Sequence, residues 1–170
     1  MITAPDAFEA VFDAHYEEIR RYLGRRVGLD VAEDLAAETF LIAFRRRETF
    51  DPSFGEIRPW LYGIATNLIG RHRRTELRRY RALARTGPPP DDDGLDQQVV
   101  DRLTAGVTVE RLAKALARLT AGERDVVLLV AYGGLSYAEV ASALRVAEGT
   151  VASRLSRART KLRGALGMEA

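Results

Sequence analysis

The chain has 170 residues, 46% hydrophobic and 29% charged, a balance that belongs to folded proteins and excludes intrinsic disorder. It carries no cysteine, which excludes disulfides and thiolate metal sites and fits a reducing compartment. The formal net charge is only +2, yet the basic residues gather in two runs, RHRRTELRRYRALAR at 71–85 and SRLSRARTKLR at 153–163, on either side of an acidic stretch. Two basic clusters about an acidic spacer suit two contacts on one polyanion; on charge alone, a pair of solvated helix faces suits the pattern as well.

The first segment, MITAPDAFEAVFDAHYEE, is acidic and lacks the basic-then-apolar order of a signal peptide, so the expectation is a cytoplasmic protein. Phe8, Phe12, Ile19 and Leu23 fall near one face of a helix that Thr3 or Asp6 is placed to cap. His15, beside Phe12 and Ile19, reads as structural. Asp30 with Glu33 has the spacing of a capping arrangement for a second helix running to about Arg47. In that helix Ala36, Phe40, Ala43 and Phe44 share one face, and Asp34, Glu38, Leu41 and Arg45 share another. Pro59 suits the first turn of a third helix in which Trp60, Ile64 and Leu68 repeat at i, i+4 and i+8. That repeat makes Trp60 a core residue rather than a stacking platform. No segment alternates with period two, so no sheet is expected.

TGPPPDDDGLDQQ, residues 86–98, breaks every helical pattern: its prolines hold extended geometry and its aspartates repel one another. It reads as a flexible linker between an N-terminal module, 4–85, and a C-terminal one, 99–168. In the second module Thr120 with Glu123 forms a capping box before the apolar run VVLLVAY, which is too short to span a bilayer, and Gly133-Gly134 stops it. Ser136 with Glu139 forms a second box. The short helix YAEVASAL, a turn and a longer basic helix then make the pattern of a helix-turn-helix. On the last helix Val151, Leu155, Ala158 and Leu162 form the buried seam. Thr150, Arg154, Arg157 and Lys161 lie on one flank, Ala152, Ser156, Arg159 and Arg163 on the other, and Ser153 points away from the core. Guanidinium and hydroxyl groups fanned about an anchored helix match the chemistry of a major groove. The expected fold is all-α, two small helical domains with a helix-turn-helix in the second.

GLSYAEVASAL followed by EGTVASRLSRARTKLR resembles the C-terminal domain of an extracytoplasmic-function (ECF) bacterial sigma factor. AEDLAAETFLIAF at 32–44 resembles that family's core-polymerase-binding helix, and RPWLYGIATNLIGRHRR at 58–74 its promoter-melting segment. The resemblance implies that region 2, the N-terminal module, docks on the polymerase β′ clamp helices through Asp34, Glu38 and Leu41. It implies that Asn67 lies near a flipped −10 base, with Arg71, His72, Arg73, Arg74, Arg78 and Arg79 along the phosphate path. Region 4 is then expected to read the −35 element through Thr150, Ser153, Arg154, Ser156 and Arg157, with Arg159 and Lys161 nearer the backbone, and to touch the β flap. The family commonly has an anti-sigma factor as a partner. No cofactor, metal, membrane insertion or enzymatic activity is implied. Ala152, Ala37 and Gly70 depart from residues the family often carries, at the −35 helix, the polymerase face and the −10 loop. The rival reading is a helix-turn-helix regulator that binds DNA without acting as a polymerase subunit.

Overall fold

Eight α-helices and no strands make up the described residues, which are 2, 4–87 and 108–168 of a computed structural model. In chain order they are α1 Pro5–Val27, α2 Leu29–Arg45, α3 Ile57–Arg71, α4 Arg73–Thr86, α5 Val109–Ala117, α6 Ala121–Ala131, α7 Tyr137–Leu144 and α8 Glu148–Leu166. Single 3-10 turns at Arg47–Thr49 and Pro52–Phe54 join α2 to α3. The linker expected at 86–98 lies outside the described residues from position 88 onward.

The two capping boxes of the C-terminal half form as the sequence suggests. Thr120 and Ser136 each accept from the backbone of Glu123 and Glu139, whose carboxylates return the bond. The caps expected of Asp6 and Asp30 in the N-terminal half do not form. Helix α1 starts on Pro5 behind Ala4 with no side-chain cap, Thr3 lies outside the described residues, and Asp6 stands inside the first turn. The α1–α2 joint is the single residue Gly28 at φ 92°, which leaves no turn for Asp30 to cap, so Asp30 is inside α2. Glu33 instead reaches back to α1, accepting from the Tyr16 hydroxyl at 3.3 Å and from Arg20 at 3.3 Å. Helix α2 ends at Arg45 rather than Arg47, because the chain turns through the first 3-10 segment there.

Apolar burial follows the helical periods. Ile19, Leu23, Leu35, Ala36, Phe40, Leu61 and Leu68 are buried in the first half, and Leu112, Leu116, Val126, Leu129, Val140, Val151 and Leu155 in the second. Each fully buried large side chain contributes roughly 1.5–3 kcal/mol before entropy is counted. Phe12 is the exception on its stripe: it is 39% exposed and stacks on Tyr16 at 4.7 Å.

The two halves pack against each other, α4 on α5 and α3 on α7. Gly63 lies so close to the Ala143 backbone that any side chain would collide with it. From α3, Arg58 binds Glu18 of α1 at 3.0 Å and donates to the Gly133 carbonyl across the seam. The Ser142 hydroxyl donates to the Phe54 carbonyl at 2.9 Å.

The seam is organised by buried charge. Arg26, Glu76 and Arg124 are each at most 2% exposed. Arg26 Nε stands 2.5 Å from Glu76 Oε2, and Arg124 donates to Glu76 Oε1 at 3.0 Å. Asp125 accepts from Arg26 at 2.7 Å, so two cations meet two anions and the cluster is neutral. Remaining donors are used as well: Arg26 binds the Tyr22 hydroxyl at 2.8 Å, and Arg124 binds the Leu116 and Leu119 carbonyls at 3.0 and 2.8 Å, closing the end of α5. Burial opposes the Arg26 charge, but the oxygens of Tyr22, Glu76 and Asp125 outweigh it and push its pKa up.

Glu76→Gln leaves both guanidinium groups without their shared counter-charge. It is expected to lower stability by about 3–5 kcal/mol in urea unfolding. Arg145 ends α7 at φ 53°, ψ 47°, a left-handed conformation that costs a side-chain-bearing residue about 1–2 kcal/mol. Arg145→Gly removes that strain and adds unfolded-state freedom, for a net gain of about 0.5–1 kcal/mol by the same measurement.

Candidate nucleic-acid and partner interfaces

Helix α8 is seated by Val151, Leu155, Ala158 and Leu166, all buried, with Leu162 partly so. It packs on α5, α6 and α7. The turn before it depends on Arg145, after which the Val146 N–H bonds the Ala141 carbonyl at 3.0 Å and redirects the chain. Around the seated face the expected groups separate by exposure. Ser153, Ser156, Arg157, Arg159 and Lys161 are exposed, while Thr150 and Arg154 are half-buried.

Several of these side chains already have partners. Ser153 donates to the Thr150 carbonyl at 3.0 Å, and Arg159 donates to the Tyr137 hydroxyl at 3.0 Å. The Arg154 guanidinium lies against Gly122. Lys161 Nζ donates to both Glu123 oxygens, at 2.9 and 2.8 Å, and Arg157 Nε stands 3.9 Å from the same carboxylate. Burial would raise the Glu123 carboxyl; the Lys161 ammonium and the Thr120 N–H outweigh it and hold it below the usual carboxylate value. Sequence reading placed Glu123 only in the capping box. Its partner lies 38 residues away, and no local pattern announces such a contact.

A second set of cations surrounds the α3–α4 joint. Asn67, Arg71, Arg73, Arg74 and Arg78 are exposed; His72, which ends α3 and starts α4, and Arg79 are half-buried. The opposite face of α4, with Glu76, Tyr80 and Leu83, is buried. The basic run 71–85 is therefore amphipathic, with its arginines divided between solvent and seam. Arg71 stands 3.5 Å from Glu38 of α2, which brings the edge of this cationic set beside the acidic helix face. On that face Asp34 is exposed, Glu38 half-buried and Leu41 48% exposed. A bare leucine between carboxylates is what a basic, partly apolar partner helix requires.

One residue occupies an environment that periodicity did not capture. Trp60 is half-buried rather than core: it meets Phe50 at 5.1 Å and lines a cavity of about 620 Å³ with Asp51, Phe54, Ser142 and Arg145. Phe54 is 82% exposed at its rim. His15 is structural, its Nδ1 2.6 Å from Glu18. Burial would raise the Glu18 carboxyl, but His15 and Arg58 hold it down. Among the described residues no group of His, Asp or Glu is arranged to hold a metal ion, and no helix is long and apolar enough to cross a membrane.

Comparison with known proteins bears on this geometry. Residues 11–79 match sigma-70 region 2, and residues 109–162 match sigma-70, region 4. The chain is 35% identical over 155 residues to the ECF RNA polymerase sigma factor SigL of Mycobacterium tuberculosis, covering 91% of this chain and 85% of that protein. It is 33% identical over 147 residues to the ECF RNA polymerase sigma factor BldN of Streptomyces coelicolor, 86% of this chain but 55% of BldN's length. In fold it is similar to the sigma factor RpoE of Bartonella quintana, solved in complex with the anti-sigma factor NepR, with a TM-score of 0.65 and 24% identity over 96% of this chain and 98% of that one. With regions 2 and 4 in order and a relationship to SigL over 85% of that protein's length, the chain belongs to the extracytoplasmic-function family of RNA polymerase sigma factors, whose work is promoter-specific initiation of transcription.

Proposed function

We propose that this chain joins core RNA polymerase in the cytoplasm as its promoter-specificity subunit, with the polymerase supplying the chemistry. The N-terminal module, 4–85, docks on the β′ clamp helices through Asp34, Glu38 and Leu41. Asn67 holds an unpaired −10 base, and Arg71, His72, Arg73, Arg74, Arg78 and Arg79 follow the strand's phosphates. The C-terminal module, 99–168, reads the −35 element through Thr150, Ser153, Arg154, Ser156 and Arg157, with Arg159 nearer the backbone, and touches the β flap; Lys161, expected beside Arg159 at the backbone, is bound to Glu123 instead. An anti-sigma factor is the expected regulator, a reading supported by the anti-sigma complex of the RpoE fold relative.

The observation that carries this reading is α8, held to the domain by Val151, Leu155 and Ala158 while its serines and arginines face outward. A helix anchored on one face and lined with donors on the rest can enter a major groove without unfolding anything. The seam adds a condition. Promoter positions −35 and −10 are separated by roughly 85 Å of duplex at about 3.4 Å per base pair, far more than two modules in contact can span. Reading both elements requires α4 to leave α5 and α3 to leave α7.

Run-off transcription with core polymerase and a cognate promoter tests the reading: the wild-type chain confers initiation, whereas a regulator of DNA binding alone gives a shifted duplex and no transcript. Arg157→Ala is expected to weaken −35 recognition by about 1–3 kcal/mol if it reads a base edge. Asn67→Ala is expected to leave closed-complex affinity intact and to lower permanganate reactivity of the melted −10 region. Equal loss of both steps would remove Asn67 from base capture.

A further inference from the structure

Helix α8 carries five cations between Arg154 and Arg163, yet they are not equally available. Glu123, 4% exposed in the first turn of α6, sits beneath the Arg157–Lys161 flank. One of its oxygens accepts from the Thr120 N–H at 2.9 Å, and both accept from Lys161. Arg157 is 62% exposed at the side chain and leans toward the same carboxylate without a hydrogen bond. Arg154 packs on Gly122, one residue earlier. Three cations on one flank are thus gathered over a single acidic turn.

The capping box by itself does not explain this arrangement. Gln serves at the third helical position as well as Glu does, so what the carboxylate adds is charge. A buried carboxylate beneath a helix that approaches phosphates opposes binding unless its charge is occupied, and Lys161 occupies it.

We propose that Glu123 is a positioning residue for −35 recognition, holding Lys161 off the DNA backbone and drawing Arg157 into a fixed arc over the base edges. This rests on the reading of α8 as the −35 helix. Its consequence is a trade: one phosphate contact is withheld, so less of the affinity is independent of sequence, and Arg157 meets the duplex in a restricted set of directions. A lysine free to swing to a phosphate strengthens every site alike; a tethered one leaves the difference between sites larger.

The test is the salt dependence of closed-complex formation by holoenzyme reconstituted with each variant, on duplexes with the cognate and a scrambled −35 element. Glu123→Gln keeps the capping box and releases Lys161. It is expected to steepen the slope of log K against log salt by about 0.9, one added phosphate contact, and to bring the affinities of the two duplexes several-fold closer. The double variant Glu123→Gln with Lys161→Met is expected to return the slope to the wild-type value. If Lys161 already contacts a phosphate, Glu123→Gln leaves the slope unchanged and the double variant lowers it by about 0.9, which overturns the proposal. An unchanged slope and discrimination in both variants overturns it too, leaving Glu123 as a cap alone. Should Glu123→Gln fold poorly, the double variant still puts the proposal at risk, because a slope lowered by about 0.9 overturns it. Run-off activity of the wild-type holoenzyme on the same promoter reports separately on the polymerase reading.

Discussion

Glu76 is the carboxylate on which the arrangement of this molecule depends. It comes from α4, accepts from Arg26 of α1 and Arg124 of α6, and is withdrawn from water with both. Buried charge is costly unless it is paired and its remaining donors are used. Here they are used in sequence: Thr66 and Tyr22 share a hydrogen bond, Tyr22 accepts from Arg26, Arg26 and Arg124 share Glu76, and Arg124 ends on the carbonyls that close α5. Five helices from both halves meet along one chain of polar contacts. Such a chain specifies register, because a shifted packing would strand a charge, while its net contribution to stability is smaller than an apolar seam of the same area would supply.

That balance suits the separation of the halves proposed for promoter binding. The seam holds α4 and α5 together and brings Gly63 of α3 onto α7, yet it covers neither the Asp34–Glu38–Leu41 face of α2 nor the exposed serines and arginines of α8. The face proposed for polymerase docking is therefore open in the closed arrangement. In the proposed opening, the charges released are those that water solvates best. Helix α6 has a part in both interactions. Its N-terminal residues send Arg124 and Asp125 into the seam and Glu123 beneath α8, because successive residues on a helix point about 100° apart.

Periodicity was sufficient where one helix face meets one core. The seam of α8, the stop after α6 and both C-terminal capping boxes lie within a few residues of the signals that announce them. It was insufficient where a residue answers to a distant partner. Asp30 and Glu33 have capping spacing, but the one-residue joint at Gly28 moves Asp30 into α2 and turns Glu33 toward Arg20. Phe12 and Trp60 share their helical stripes with buried residues and still remain partly open, since Phe12 stacks outward on Tyr16 and Trp60 lines a cavity between the halves.

The arginine-rich run at 71–85 separates the two kinds of information. Its composition alone establishes a cationic helix and, with the paired motifs around it, a family whose subject is promoter DNA. Composition does not say that Glu76 in its midst is among the most buried residues of the chain, or that Arg79 turns inward while Arg78 faces solvent. Helical class, caps and seams arise from neighbours within about four residues, which the order of amino acids displays directly. The charge network at the seam and the tether from Glu123 to Lys161 join residues 38 to 99 positions apart. Contacts of that kind exist only after packing has brought the helices together, so their energies belong to the tertiary arrangement.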